Sequence, residues 1–126
     1  MAMAMAMSRV VQCAVGERSY HIFISYVLVL PCLSERLNLR NADEYKYLKQ
    51  SSCYSVTGVN DSTMFHTVME AMDVVHISKE DQENVFAMLA AVLWLGNISF
   101  TVIDNENHVE VVADEGKHFR LAMINL

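Results

Sequence analysis

Glycine is scarce in this chain and nowhere clustered. The four glycines stand at positions 16, 58, 96 and 116. A phosphate-binding loop needs several within a few residues, so that backbone amides can approach the anion, and a lysine for the terminal phosphates. The stretch is therefore not expected to bind nucleotide by itself. Cysteine is sparse too: Cys13, Cys32 and Cys53 are an odd number at wide spacing, without a Cys-x-x-Cys pair. That speaks against a disulfide framework and for reduced thiols in a cytosolic compartment. The five histidines are scattered and no His-Glu-x-x-His occurs, so no metal site is expected. Cys13 with His21, and Cys53 with His66, are thiol–imidazole pairs of the kind any such chain offers, and no catalytic residue is assigned.

Basic charge is short in one half. Residues 61–126 hold three Lys/Arg against eleven Asp/Glu, whereas residues 1–60 hold six against four. An acidic half repels nucleic acid and anionic lipid and suits only a basic patch on a partner. Long apolar runs are missing: residues 22–33 are broken by Ser25 and Pro31 and fall short of the roughly 20 residues a membrane helix needs. No span is expected, and the start lacks the basic region and apolar core of a signal peptide.

What remains is enough for one domain: 126 residues, opening on a Met-Ala repeat over residues 1–7 that inflates the 53% hydrophobic content without adding pattern. Residues 8–15 are β-branched and apolar, and predict a strand closed by Gly16. From Glu17 the spacing of Tyr20, Phe23, Val27 and Leu30 predicts one face of a helix stopped by Pro31. Asn41 caps a short helix at Ala42, with Glu44 at the capping-box position and Tyr45 and Leu48 on one face. Residues 51–58 read as an extended loop. Asn60 caps the next helix, whose inner face is Phe65, Val68, Met72 and Val75. A helix over residues 79–95 follows, capped by Ser78 with Asp81, acidic in its first turns, and stopped by a left-handed Gly96. Its second half is apolar all round, from Val85 to Leu95, and predicts a central helix packed on at least two others. After Gly96 the period becomes two: residues 98–103 and 108–112 predict a hairpin with an acidic tip at Asp104-Asn105-Glu106-Asn107. The fold class is mainly α with a β-hairpin.

Several segments carry a resemblance in order and spacing. They are Ser8-Arg9-Val10-Val11, residues 16–23 with Glu17-Arg18-Ser19-Tyr20-His21-Ile22-Phe23, Tyr45-Lys46-Tyr47-Leu48-Lys49-Gln50-Ser51, Gly58-Val59-Asn60-Asp61, and residues 86–97 ending Leu93-Trp94-Leu95-Gly96-Asn97. Together they resemble a myosin motor domain over residues 8–116, flanked by the Met-Ala start and a divergent tail at 117–126. Ser78-Lys79-Glu80-Asp81-Gln82-Glu83 and residues 100–110 bring the likeness nearest to plant class VIII myosins. The sequence departs from the family where Ile24-Ser25-Tyr26-Val27-Leu28-Val29-Leu30 replaces a Tyr-Gln-Leu continuation, and where Val111 stands for a proline.

The resemblance implies a partial piece of the α/β P-loop motor fold, its upper subdomain, starting just after the switch I loop. It implies a cytoplasmic, cytoskeleton-associated motor, with actin filaments and the rest of a motor domain as partners. ATP and Mg belong to the complete motor, and no cofactor is expected in this stretch, because the phosphate loop and both switches fall outside it. The chain alone is then not expected to hydrolyse ATP. The hairpin matches the family's loop 4, which implies an actin-proximal role for Asp104, Glu106, Glu110, Asp114 and Glu115. Actin is itself acidic, so such a tip would modulate contact rather than anchor it. A different reading is a stand-alone helical interaction module. Such a module would have to cover both the 10–15 strand and the apolar 85–95 helix from its own few elements.

Overall fold

The computed structural model describes residues 12–29, 37–103, 108–112, 117 and 120. Three helices make its body: α1, His21–Val29; α2, Asp61–Val74; and α3, Lys79–Asn97. Two 3₁₀ turns, Ala42–Glu44 and Lys49–Ser51, lie between α1 and α2, and strands β1, Phe100–Val102, and β2, Val109–Val111, follow α3.

The shortest helix is the most enclosed. Phe23, Ile24, Ser25 and Tyr26 are consecutive in α1 and all buried, so every side of that turn meets protein. Two apolar clusters flank it. One joins Phe23 and Ile24 to Tyr45, Leu48, Leu93 and Trp94; the other joins Tyr26 to Leu37, Phe65, Phe86, Ala87 and Ala90. In the second, the Tyr26 and Phe86 rings stack at 5.1 Å and Phe65 lies 5.4 Å from Phe86. The Tyr26 hydroxyl donates to the Phe86 carbonyl at 2.9 Å, which satisfies the one polar atom that ring buries.

The apolar helix α3 packs on α1 and α2, as expected of a central helix, but is not enclosed all round. α3 supplies residues to both clusters, but only from one face: Val85, Met88, Val92 and Leu95 are 37%, 62%, 50% and 56% exposed. They form an outward stripe that nothing among the described residues covers. The expected face of α1 also shifts, because Tyr20 precedes the helix and is exposed. The expected strand over residues 8–15 is not formed in its described part: residues 12–14 have no regular structure and Val15 enters a turn. Gly16 does close that segment, with φ of +81°, and Glu17 N–H bonds back to Ala14 O at 3.0 Å.

Local signals at the helix starts hold. Asn60 accepts from Thr63 N–H at 3.1 Å and Ser78 Oγ from Asp81 N–H at 3.1 Å, each cap being worth about 1 kcal/mol. The Glu44 carboxylate reaches back to Asn41 N–H at 3.3 Å, but the element it opens stops after one 3₁₀ turn, and Tyr45 and Leu48 are buried just beyond it. The helix ends depart from expectation. α2 closes at Val74, leaving Val75 two-thirds exposed instead of on the inner face. His76 then takes φ of +61°, Ile77 N–H bonds Met72 O and His76 N–H bonds Asp73 O, each at 3.0 Å. That is a Schellman ending built without glycine. Gly96 is not a stop: α3 runs through it to Asn97.

The hairpin pairs Phe100 with Val111, Thr101 with Glu110 and Val102 with Val109, antiparallel. All six residues are exposed. The two described tail residues, Lys117 and Arg120, are helical.

Candidate functional site

The expected actin-proximal acids are only partly within the described residues. Asp104, Glu106, Asp114 and Glu115 lie outside them. Glu110 sits in β2, exposed, with His108 Nε2 4.0 Å from its carboxylate and Thr101 Oγ1 donating to its carbonyl at 3.4 Å.

The segments that recur as motifs turn out to be polar joints between elements. The first joint is Arg18 with Asp61. Arg18 Nη2 donates to Asp61 Oδ1, and Ser25 Oγ of α1 donates to the same oxygen at 3.0 Å. The side chains are 2% and 13% exposed, so the pre-helical segment, α1 and the first residue of α2 meet at one buried charge pair. A pair like this is costly to break from one side, because the survivor is left charged and dry. Arg18 carries a further feature: its Nε and Nη1 are buried with no hydrogen-bond partner among the described residues.

The second joint is Asn97 with Lys46. The Asn97 side chain accepts from Lys46 N–H at 2.7 Å and donates to Glu44 O at 3.0 Å, while Lys46 Nζ donates to Asn97 O at 2.6 Å and to Ser99 Oγ. The end of α3 is thus tied to the first 3₁₀ turn, which explains why the helix continues past Gly96. Beside this joint Tyr45 is enclosed by Trp94, the rings edge to face at 5.3 Å. Burial pushes its hydroxyl up to about 12, and it accepts from Arg40 N–H at 2.9 Å. Burial likewise raises Tyr47, which is hydrogen-bonded with Ser19.

A third joint closes the turn between α2 and α3. Lys79 Nζ and Gln82 Nε2 donate to Asp73 Oδ1 at 2.6 and 2.7 Å, and Gln82 Nε2 also donates to Ile77 O at 3.0 Å. These bonds, Lys79 first, hold the Asp73 carboxyl below its ordinary value.

One cavity of about 410 Å³ lies among Cys13, Glu17, Arg18, Tyr20, His21 and Val56. Cys13 and His21 are both among its lining residues. Cys13 and Cys53 are free thiols, and Cys32 lies outside the described residues. Cys53 and His66 have separate local partners, Ser55 O and Ser62 O. No group of three metal-ligating side chains occurs among the described residues, and no described helix is long and apolar enough to cross a membrane.

The first two pairings were not legible by spacing, since Arg18–Asp61 spans 43 positions and Lys46–Asn97 spans 51. The available signal was coincidence: Arg18, Asp61, Lys46 and Asn97 each lie inside a segment that carries the resemblance. Comparison with known proteins agrees. The profile of the myosin head (motor domain) matches residues 3–124. Myosin-1 of Arabidopsis thaliana is 72% identical over 109 residues, 86% of this chain and 9% of that protein, and Myosin-3 of the same plant is 68% identical over 109 residues, 86% of this chain and 10% of that protein. Myosin-J heavy chain of Dictyostelium discoideum is 42% identical over 103 residues, 79% of this chain and 4% of that protein. The chain spans about a tenth or less of the length of these curated relatives. Its motif order, the joints those motifs build and these matches together make the chain a member of the myosin head (motor domain) family.

Proposed function

We propose that the chain serves as a wall of an actin-based, ATP-driven motor, a structural part of the upper subdomain and not a catalytic unit. The observation that carries this reading is the construction of the joints: Arg18, Asp61, Lys46 and Asn97, all from motor-like segments, hold the helices together. ATP and Mg would be handled by motor elements other than these residues, and the hairpin acids Asp104, Glu106, Glu110, Asp114 and Glu115 would border the filament. The cell compartment that fits is the cytoplasm, at the cytoskeleton. The reading extends to a plant class VIII type. Four Arabidopsis myosins are 57–72% identical to the chain while Myosin-16 of the same plant is 40% identical, a gap expected when the chain sides with one subgroup. A stand-alone module is the weaker reading, because the Val85, Met88, Val92 and Leu95 stripe and the apolar hairpin face are uncovered among the described residues.

The test is a chimera: these residues replace the matching 109 of Arabidopsis Myosin-1. Actin-stimulated ATP turnover is expected to persist, and neutralising the five hairpin acids is expected to change the actin dependence without changing basal turnover. A soluble, folded chimera with no actin-stimulated turnover would count against the proposal.

A further inference from the structure

We infer that residues 117–126 form a short amphipathic helix that docks antiparallel on the bare stripe of α3. The stripe is narrow and regular: Val85, Met88, Val92 and Leu95, each exposed, recur at intervals of three, four and three. That is the spacing with which one helix seats a second along its length. No charged residue stands between Asn84 and Ile98, so the seam calls for an apolar helix face and not for an ion. The run Lys117-His118-Phe119-Arg120-Leu121-Ala122-Met123-Ile124-Asn125-Leu126 carries such a face, with Phe119, Met123 and Leu126 at intervals of four and three. Its two described residues, Lys117 and Arg120, are helical and exposed, as befits positions off that face.

The path of the chain brings the two faces together. Val112 N–H bonds Ser99 O at 3.0 Å, so the hairpin returns the backbone to the end of α3. Only residues 113–116 separate Val112 from Lys117, a reach of about 18 Å at most. The stripe lies wholly on the N-terminal side of that point, and a helix starting there covers it only by running back along α3. Ten helical residues are about 15 Å long, and the rise from Leu95 back to Val85 is about the same. In that direction Phe119 meets Leu95, and Leu126 reaches Met88. Charge fits as well: α3 has no basic residue in its last turn, and Lys117 and Arg120 arrive where the carbonyl end of its dipole favours cations, near Lys46, which already donates to Asn97 O. Tethering favours this segment over a second copy or a separate apolar helix, because so short a link holds it at an effective concentration on the order of millimolar. The docking is internal to the chain and stands whether or not the motor reading holds.

Peroxide oxidation of the full chain, read residue by residue by mass spectrometry, compares Met88 of the stripe with Met64 of α2, which are 62% and 52% exposed. A docked tail is expected to slow Met88 roughly tenfold relative to Met64, by the same factor at every protein concentration. Phe119→Asp combined with Leu126→Asp should raise Met88 to the Met64 rate and leave Met64 unchanged, which separates undocking from unfolding of the body. Direction is read in a chain with Cys13, Cys32 and Cys53 changed to serine: a short bis-maleimide should bridge Leu95→Cys to Phe119→Cys faster than to Leu126→Cys, within one chain on a denaturing gel. Met88 as reactive as Met64 in the full chain, or protection that survives the double substitution, overturns the inference. So does protection that weakens on dilution, which marks a second copy as the occupant, or faster bridging to position 126.

Discussion

The helical body and the hairpin use the same kinds of residue to opposite ends. In the body, Arg18, Asp61, Gln82 and Asn97 are largely withdrawn from water and bonded, and the aromatic side chains Tyr26, Tyr45, Phe65 and Phe86 are fully buried. In the hairpin, Phe100, Val102, Val109 and Val111 make one apolar face by their register, yet are 64%, 75%, 55% and 44% exposed. A two-stranded hairpin is marginal without a covering layer. The difference teaches that the body holds itself together, whereas the hairpin and the outer face of α3 are shaped for a surface that the described residues do not supply.

Breaking the body at its charged joint tests this most strongly. Asp61→Ala leaves Arg18 buried without its counter-charge, and is expected to cost about 3–5 kcal/mol, read by denaturant titration of far-ultraviolet helicity. A paired substitution sharpens the contrast between regions. Phe86→Ala removes a ring at 1% exposure and should cost about 3–5 kcal/mol, while Phe100→Ala, of equal chemistry, should stay within about 0.5 kcal/mol in the same assay. A large Phe100 effect would mean that the hairpin is covered after all.

Smaller effects sit at the turn joining α2 to α3. His76 holds a left-handed backbone that costs a side-chain-bearing residue about 1–2 kcal/mol. His76→Gly is therefore expected to raise stability by about 1 kcal/mol, seen as a higher melting temperature. The smallest effect is the Asp73 contribution, since that carboxyl is exposed. Its pKa is lower folded than unfolded, so its bonds to Lys79 and Gln82 stabilise above the ordinary carboxyl value of 3.8 and weaken as pH falls through the depressed folded value. Acid titration should show amide protection at the α2–α3 turn falling below that pH, and Asp73→Asn should flatten the change.

Much of the local grammar was legible. Asn60 and Ser78 cap the helices as read, and the change to period two after α3 marks the hairpin, because a cap or an alternation involves residues a few positions apart. Legibility failed where a distant partner decided. Gly96 looks like a stop, but Asn97 is bonded to Lys46 and Glu44, and those bonds hold two more residues of helix. Residues 85–95 look central by composition, but composition does not say which apolar face is met by protein. The joint between Arg18 and Asp61 was invisible as a pair although both residues stood in recognised segments.

By itself the sequence determined the starts of α2 and α3, the presence of the hairpin and the family, since these rest on short-range hydrogen bonding, residue periodicity and ordered motifs. Only the tertiary structure decided that the Phe23–Tyr26 turn of α1 is buried while α3 keeps an exposed stripe, that Arg18 meets Asp61, and which apolar faces stay bare among the described residues. Those outcomes depend on packing and desolvation among side chains far apart in the chain, and no local pattern encodes which surfaces will meet.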